Sequence, residues 1–205
     1  MSILLLNGCT SAGKTSIAKA LQAILDPPHL RWGIDDAFAM LPARLHDHAD
    51  GFFFDHDEGG AVRLNFGATG LALLKAQAYA AAAMDAAGVD LILDQVMLWD
   101  DVTGYWNQAL AARQVFTVGV HCSLAELERR ELARGDRMIG QAQGQYDLVH
   151  RKIRYAFEID VTGLTPEQAA GNIANRYTDW RLNAAATDYG QISRIAAAWA
   201  GDGTS

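Results

Sequence analysis

The sequence predicts an α/β fold of three layers, with a central parallel five-stranded sheet and helices on both of its faces. Three observations predict it. Short apolar runs alternate with longer helical segments along most of the chain, which is the order of strand–helix–strand units. The runs are continuous in Leu, Ile and Val rather than alternating with polar residues, as suits strands covered on both faces. The first run, "SILLLN", passes straight into a glycine-rich turn that opens a helix. With 205 residues the chain is long enough for one buried core and short for two.

The elements follow in order. "SILLLN" is the first strand, residues 14–25 the first helix and "RWGID" the second strand. A long alanine-rich helix covers 68–87, "VDLILDQV" is the third strand, and a helix lies near 100–112. "VFTVGVHC" is the fourth strand, a charged helix starts at Leu124, and "AFEIDV" is the fifth strand. The last helix is marked by Thr165-Pro166-Glu167-Gln168: an N-cap, a proline in the first turn and a capping-box partner. Residues 42–67 carry three consecutive Phe among Gly, His and Asp with no clean period, too long for an ordinary connection, and read as a functional or mobile substrate region. The expected organisation is one main domain over 1–178, with a lid-like segment over about 130–145, and a C-terminal extension, 179–205, packed on the same domain. Within it "QISRIAAAWA" is a terminal amphipathic helix and "GDGTS" frays.

Composition removes several classes. Acidic residues outnumber basic ones 24 to 17, for a formal net charge of −7, so the broad basic surface of a nucleic-acid binder is absent and an anion site has to be local. The most apolar stretch, "TGLALLKAQAYAAAAMDAAG", is broken by Lys75, Gln77 and Asp85 and does not predict a membrane span. No basic n-region precedes "ILLLN", so a cytoplasmic protein without a signal peptide is expected. Cys9 and Cys122 have no CxxC spacing, which predicts reduced thiols and neither a disulfide framework nor a zinc site. A homo-oligomer is compatible with all of this.

Gly8-Cys9-Thr10-Ser11-Ala12-Gly13-Lys14-Thr15 fits G-x-x-x-x-G-K-[ST] in the required strand-to-helix context. Glycines let the backbone wind so that its N–H groups point at phosphate oxygens, and the helix N-terminus adds positive potential. The nucleotide site therefore comprises these eight residues and Ser16, with Lys14 on the β- and γ-phosphates of ATP and the Thr15 hydroxyl on Mg²⁺. Asp94, ending the apolar run "DLILD", is the second metal candidate; an Asp at a strand end is also an ordinary helix cap. No N-K-x-D sequence is present, which argues against a guanine-specific switch.

What receives the phosphate is read from three further segments. "RWGID" brings Asp35 beside the loop, where ligands bind in open parallel sheets, and an alcohol acceptor needs a carboxylate there to orient its hydroxyl and take its proton. Asp36 competes for the role, and spacing does not choose between them. In "ELERRELARGDRMIG", Arg130, Arg134 and Arg137 fall on one side of a helix and its following loop, as a lid over the triphosphate or as a solvated face paired with Glu126, Glu128 and Glu131. Phe38, Met40, Leu41, Phe52, Phe53, Phe54, Met97 and Trp99 flank the proposed base and the Asp94 strand and form either an aromatic acceptor pocket or plain core. His46, His48 and His56, mixed with Asp residues, match no strong metal-ligand spacing and read as an acidic loop.

With these residues in place, the chain resembles the chloramphenicol phosphotransferases, small P-loop kinases that phosphorylate the primary hydroxyl of chloramphenicol. The likeness runs collinearly through "LLNGCTSAGKTSI", "RWGIDDAFAMLP", "LILDQVMLW", "VGVHCSLAELERRELARGDR" and "YDLVH". It implies a P-loop kinase fold with an Arg-rich lid, a catalytic base at Asp35, and phosphate contacts from Arg130, Arg134 and Arg137, the last with Lys14 in the catalytic set. The chain departs from the family at Gln95, where a second acidic residue is expected, loosely over 42–67, and beyond 178. The resulting expectation is an ATP- and Mg²⁺-dependent O-phosphotransferase acting on a hydroxylated small molecule, chloramphenicol or a similar antibiotic, with neither nucleic acid nor membrane as partner. Two alternatives stay open: a kinase of a metabolite or nucleoside, although 36–67 offers only Arg44 and Arg63 as anion ligands, and an ATP-binding regulatory module without transfer. Replacing Lys14 with Ala is expected to lower ATP-dependent turnover at least about a hundredfold, measured as ADP release; full activity in that variant contradicts the loop's role.

Overall fold

The computed structural model describes residues 1–135, 138–151 and 153–186. Five parallel strands form the sheet: β1 (Ile3–Asn7), β2 (Leu30–Gly33), β5 (Leu91–Gln95), β6 (Val115–His121) and β7 (Phe157–Asp160), in the order β2-β5-β1-β6-β7. The central strand β1 is buried at every position, and its alternate residues feed two cores. Leu4 and Leu6 pack with helix α1 (Lys14–Ile24) and helix α7 (Pro166–Ala186), through Ile17, Leu21, Ala170 and Ile173. Ile3 and Leu5 pack on the opposite face with α3 (Ala68–Ala86) and α4 (Asp100–Leu110), through Leu74, Ala78, Val102 and Trp106. A period of two on a strand covered by helices on both sides gives this three-layer sandwich.

The capping box expected at the last helix is present and reciprocal: Thr165 N–H donates to Gln168 Oε1 at 2.9 Å and Gln168 N–H to Thr165 Oγ1 at 3.3 Å. That helix runs unbroken across Thr178 to Ala186, and Trp180 packs on Phe116 and Tyr177. The expected helix at 191–200 and the tail lie outside the described residues. Among the described residues no helix is long and apolar enough to cross a membrane.

Three local expectations are corrected. The strand in "RWGID" ends at Gly33, and Ile34 and Asp35 open a short helix, α2 (Ile34–Phe38); Asp36 Oδ2 accepts the Gly33 N–H at 2.7 Å and thereby starts the turn. Residues 42–67 are not a structureless connection. They hold a single 3₁₀ turn, Ala43–Leu45, and an antiparallel hairpin of β3 (Phe52–His56) and β4 (Val62–Phe66). The charged helix, α5 (Leu124–Arg134), ends in Gly135 at φ 68, and a further helix, α6 (Gln141–Tyr146), follows it.

The hairpin docks through close backbone approaches that glycines permit. A Cβ on Gly67 would lie 2.0 Å from Ala49 O, and one on Gly70 2.1 Å from Gly51 O. Gly70→Ala is therefore expected to push the hairpin off α3 at a cost of about 1–3 kcal/mol, read as a lower unfolding midpoint and faster proteolytic cleavage within 42–67. An unchanged midpoint and cleavage rate contradict this docking.

Candidate active site

Strand register assembles the site. Leu6 pairs with Asp94 across β1 and β5, and Asp94 pairs with Gly33 across β5 and β2. The ends of three parallel strands thus stand side by side, and the glycine loop, Asp94 and the first turn of α2 meet at one rim. The loop winds through the left-handed region at Ser11, φ 59, and Gly13, φ 86, and delivers Lys14 and Thr15 as the first residues of α1. Lys14 is buried, its Nζ donating to Cys9 O at 2.8 Å. The Thr15 hydroxyl donates to Asp94 Oδ2 at 2.5 Å. Burial pushes the Cys9 thiol up to about 11, against the pull of Lys14, so this loop cysteine is a protonated, packed side chain. Cys122 is likewise a buried free thiol.

Two cavities flank the loop. The first, about 440 Å³, is lined by Thr10, Ser11, Gly13, Lys14, Thr15, Ser16, Asp35, Asp94, Arg134 and an aromatic wall of Phe38, Phe52, Phe54 and Trp99. The second, about 670 Å³, lies between α1, α5 and the start of α7, with Ser11, Ala12, Gly13, Lys19, Arg129, Arg130, Arg134 and Pro166 in its walls. Ser11, Gly13, Thr15, Ser16, Asp35 and Arg134 border both. Gly8 is set apart from the cavities by its packing: a Cβ there would lie 2.4 Å from Val120 O.

The two aspartates are distinguished by their surroundings. Asp36 forms a two-bond pair with Arg31, at 3.0 and 3.2 Å, besides capping α2. Asp35, on the exposed side of the same turn, reaches both cavities. Arg130 sits against the loop, with Nη1 3.4 Å from Ala12 O and Nε bonded to Glu126 at 2.7 Å; the hydrogen bonds from Arg129 and then Arg130 hold the Glu126 carboxyl down at about 2. Among the described residues Glu131 pairs with none of the arginines. It is buried and accepts Gly140 N–H at 2.8 Å and Ala142 N–H at 3.0 Å, which fixes the start of α6. Arg137 lies outside the described residues.

The expected acceptor wall is partly redrawn. Phe38, Phe54 and Trp99 line the first cavity, as does Phe52, in a connected stack with Phe38 and Phe52 centroids 4.7 Å apart. Phe53 does not line it, because successive side chains of β3 point to opposite faces and Phe52 and Phe54 take the inner one. Met40 is 68% exposed just beyond α2, and Met97 and Leu41 are core residues. His46 joins the wall against Phe52 at 5.2 Å, and among the described residues no group of three or more His, Cys, Asp or Glu is placed to hold a metal ion.

Residues that sequence reasoning passed over complete the site. Gln141 and Gln145, both buried on α6, line the first cavity with Arg31; their i, i+4 spacing is the one available signal. Behind the loop, Asn7 Nδ2 donates to Val149 O at 2.8 Å and to the Tyr155 hydroxyl at 2.7 Å, and Asn7 Oδ1 accepts Met97 N–H at 2.8 Å. The Tyr155 hydroxyl also meets His150 Nδ1 at 2.7 Å, and His150 stacks on His121, which pairs with Glu158.

The match to the family model "Chloramphenicol phosphotransferase-like protein" covers residues 1–178. The chain belongs to this family. The Mycobacterium tuberculosis protein named "Putative O-phosphotransferase", from strains CDC 1551 and H37Rv, is 30% identical over 85% of this chain and 81% of its own. Among solved structures, the M. tuberculosis APS kinase in complex with AMPPNP and APS has a TM-score of 0.61 at 13% identity, over 86% of this chain and 97% of its own. A Janibacter sugar kinase has 0.61 at 14%, over 87% and 95%, and the Deinococcus radiodurans tunicamycin resistance protein 0.56 at 19%, over 86% and 95%. These likenesses show the P-loop kinase fold, and together with the family they make the chain a phosphotransferase of the small-molecule kinase type.

His150 supplies a pH test of the polar network behind the loop. Burial, then His121 and Lys14, lower its pKa from 6.5 to about 4. As pH falls through that window the unfolded chain takes up a proton that the folded one resists, so stability drops between pH 6.5 and 4 and is unaffected above it. The unfolding midpoint should decline over this range in the natural protein and less steeply in His150→Asn; equal slopes contradict the assignment.

Proposed function

We propose that the protein is a cytoplasmic ATP- and Mg²⁺-dependent O-phosphotransferase whose acceptor is an uncharged, partly aromatic alcohol, chloramphenicol or a similar antibiotic. One observation carries the reading: Lys14, Thr15, Asp94 and Asp35 share a cavity whose far wall is aromatic. The residues fit the groups this chemistry requires. Ser11 Oγ is buried without a hydrogen-bond partner among the described residues, Lys14 is a buried cation in a wound glycine loop, and the Thr15–Asp94 pair offers two hard oxygens with room for water, the donor set Mg²⁺ prefers. Mg²⁺ bound there would neutralise charge on the transferring phosphoryl group.

On this reading the second cavity takes the nucleotide and the first the acceptor. Asp35, bordering both, accepts the proton of the acceptor hydroxyl as its oxygen forms a bond to the γ-phosphorus. The bond from that phosphorus to the bridging oxygen breaks, and its electron pair leaves with ADP. Lys14 follows the charge that develops on the phosphoryl oxygens, and Arg130 and Arg134 act from α5 as the lid's phosphate ligands, with Arg137 as the third. Phe38, Phe52, Phe54 and Trp99 hold the acceptor's ring and exclude water. Among the described residues, apart from Lys14, Arg31 is the Lys or Arg that lines the first cavity and not the second; its pairing with Asp36 favours an uncharged acceptor over a phosphorylated metabolite.

An ATP-consumption screen over antibiotics and hydroxylated metabolites, with mass detection of the phosphorylated product, tests the acceptor. Asp35→Asn should bind MgATP normally while product formation falls about a hundredfold or more. Undiminished product from that variant removes Asp35 as the base.

A further inference from the structure

One peptide of the glycine loop is gripped at both ends. The carbonyl of the Cys9–Thr10 unit accepts Lys14 Nζ at 2.8 Å and the Ala12 N–H at 3.3 Å, and its N–H donates to Gln145 Oε1 at 2.7 Å. A trans peptide is planar, with C=O and N–H pointing in opposite directions, so holding one end fixes where the other points. We propose that Gln145 is a positioning residue for Lys14: by accepting the Thr10 N–H it keeps the Cys9 carbonyl turned to the lysine ammonium and out of the phosphate cradle. This rests on the reading of the loop as the nucleotide-phosphate site.

The surroundings suit a fixed grip. Gln145 is 6% exposed, and only its amide oxygen can face an N–H, so the bond also sets the amide's orientation. Its backbone carbonyl accepts the N–H groups of Leu148 and Val149 at 3.0 Å, and Val149 O is held in turn by Asn7, the residue before the loop. The other end of α6 is pinned by Glu131 and by Val62 N–H on Gly140 O at 3.0 Å. A Cβ on Gly144 would lie 2.2 Å from Val62 O, which leaves α6 no room to slide along the hairpin. Without an acceptor, the buried Thr10 N–H is orphaned, and rotation of the whole peptide becomes its route to another partner.

The position of Lys14 matters to a β-phosphate and not to AMP, so the ratio of the two affinities separates positioning from general loosening. In Gln145→Leu, MgADP should bind about tenfold more weakly while AMP stays within about twofold. Gln145→Glu, whose carboxylate still accepts the Thr10 N–H, should restore MgADP binding to within about threefold of the natural protein. Should the Leu variant not fold, Gln145→Ala, which admits water at the Thr10 N–H, carries the same expectation. An unaltered ADP-to-AMP ratio in the Leu or Ala variant overturns the proposal, as does a Glu variant no better than them. A natural protein that does not prefer MgADP to AMP overturns the nucleotide-site reading itself, and this assignment with it.

Discussion

The parallel ladder through β1 is the constraint on which the rest depends. Because β5 and β6 both pair with β1 in the same direction, every strand presents its C-terminal end at one rim, and each chain segment leaving the sheet there turns past its neighbours. β1 can hold this position only if it is apolar on both faces, which Ile3 to Leu6 satisfy. Its last residue, Asn7, is the first polar one, and its amide is fully used in tying the loop's base to Val149, Tyr155 and Met97. The site is rigid at its root because burial forces the strand and hydrogen bonding spends the polar group that ends it.

Around that root, several polar groups buried at a cost find partners in other elements of the chain. Glu131 from α5 holds α6, Gln145 from α6 holds Thr10, and Gln77 from α3 donates to Gly33 O at 2.8 Å beneath α2. A buried carboxylate or amide left alone would destabilise the fold by more than its bond contributes. These pairs therefore specify one arrangement of loop, helix and hairpin more than they add to stability.

How much was legible in the sequence follows the range of the forces involved. Continuous apolar runs located β1, β5 and β6, the edge strands β2 and β7 were placed by shorter mixed runs in the strand–helix alternation, and the spacing of Gly8, Gly13, Lys14 and Thr15 marked the loop, because these signals are local. That Asp35 lies beside the loop was legible from the strand-like run "RWGID", yet its helical turn was not: that turn is set by Asp36 reaching back to Gly33, a single hydrogen bond with no periodic trace. The hairpin was missed for a similar reason. "FFFDH" carries three Phe in a row, so Phe53 and Phe54 look alike in sequence while pointing apart; "VRLNF" does alternate, but over five residues beside an unpatterned partner it stands out little from its surroundings. α6, six residues with Gly144 among them, is too short to be stable by itself and is held by Glu131 and the loop.

The same distinction bears on specificity. The glycine loop, Asp94 and the first turn of α2 stand at strand ends and helix starts whose geometry the sheet dictates. The aromatic wall is carried by a hairpin joined to α3 by glycine contacts and to the β5–α4 connection by Trp99, whose Nε1–H donates to Leu64 O at 3.1 Å. Phe66 meets Trp99 at 4.5 Å and Phe38 at 5.8 Å, which binds the hairpin to α2 and to the β5–α4 connection through rings rather than through the ladder. Changes in ring size along 52–66 can reshape that wall without disturbing a strand of the sheet. The rings of the wall can thus vary while Lys14, Thr15 and Asp94 stay under the control of the sheet.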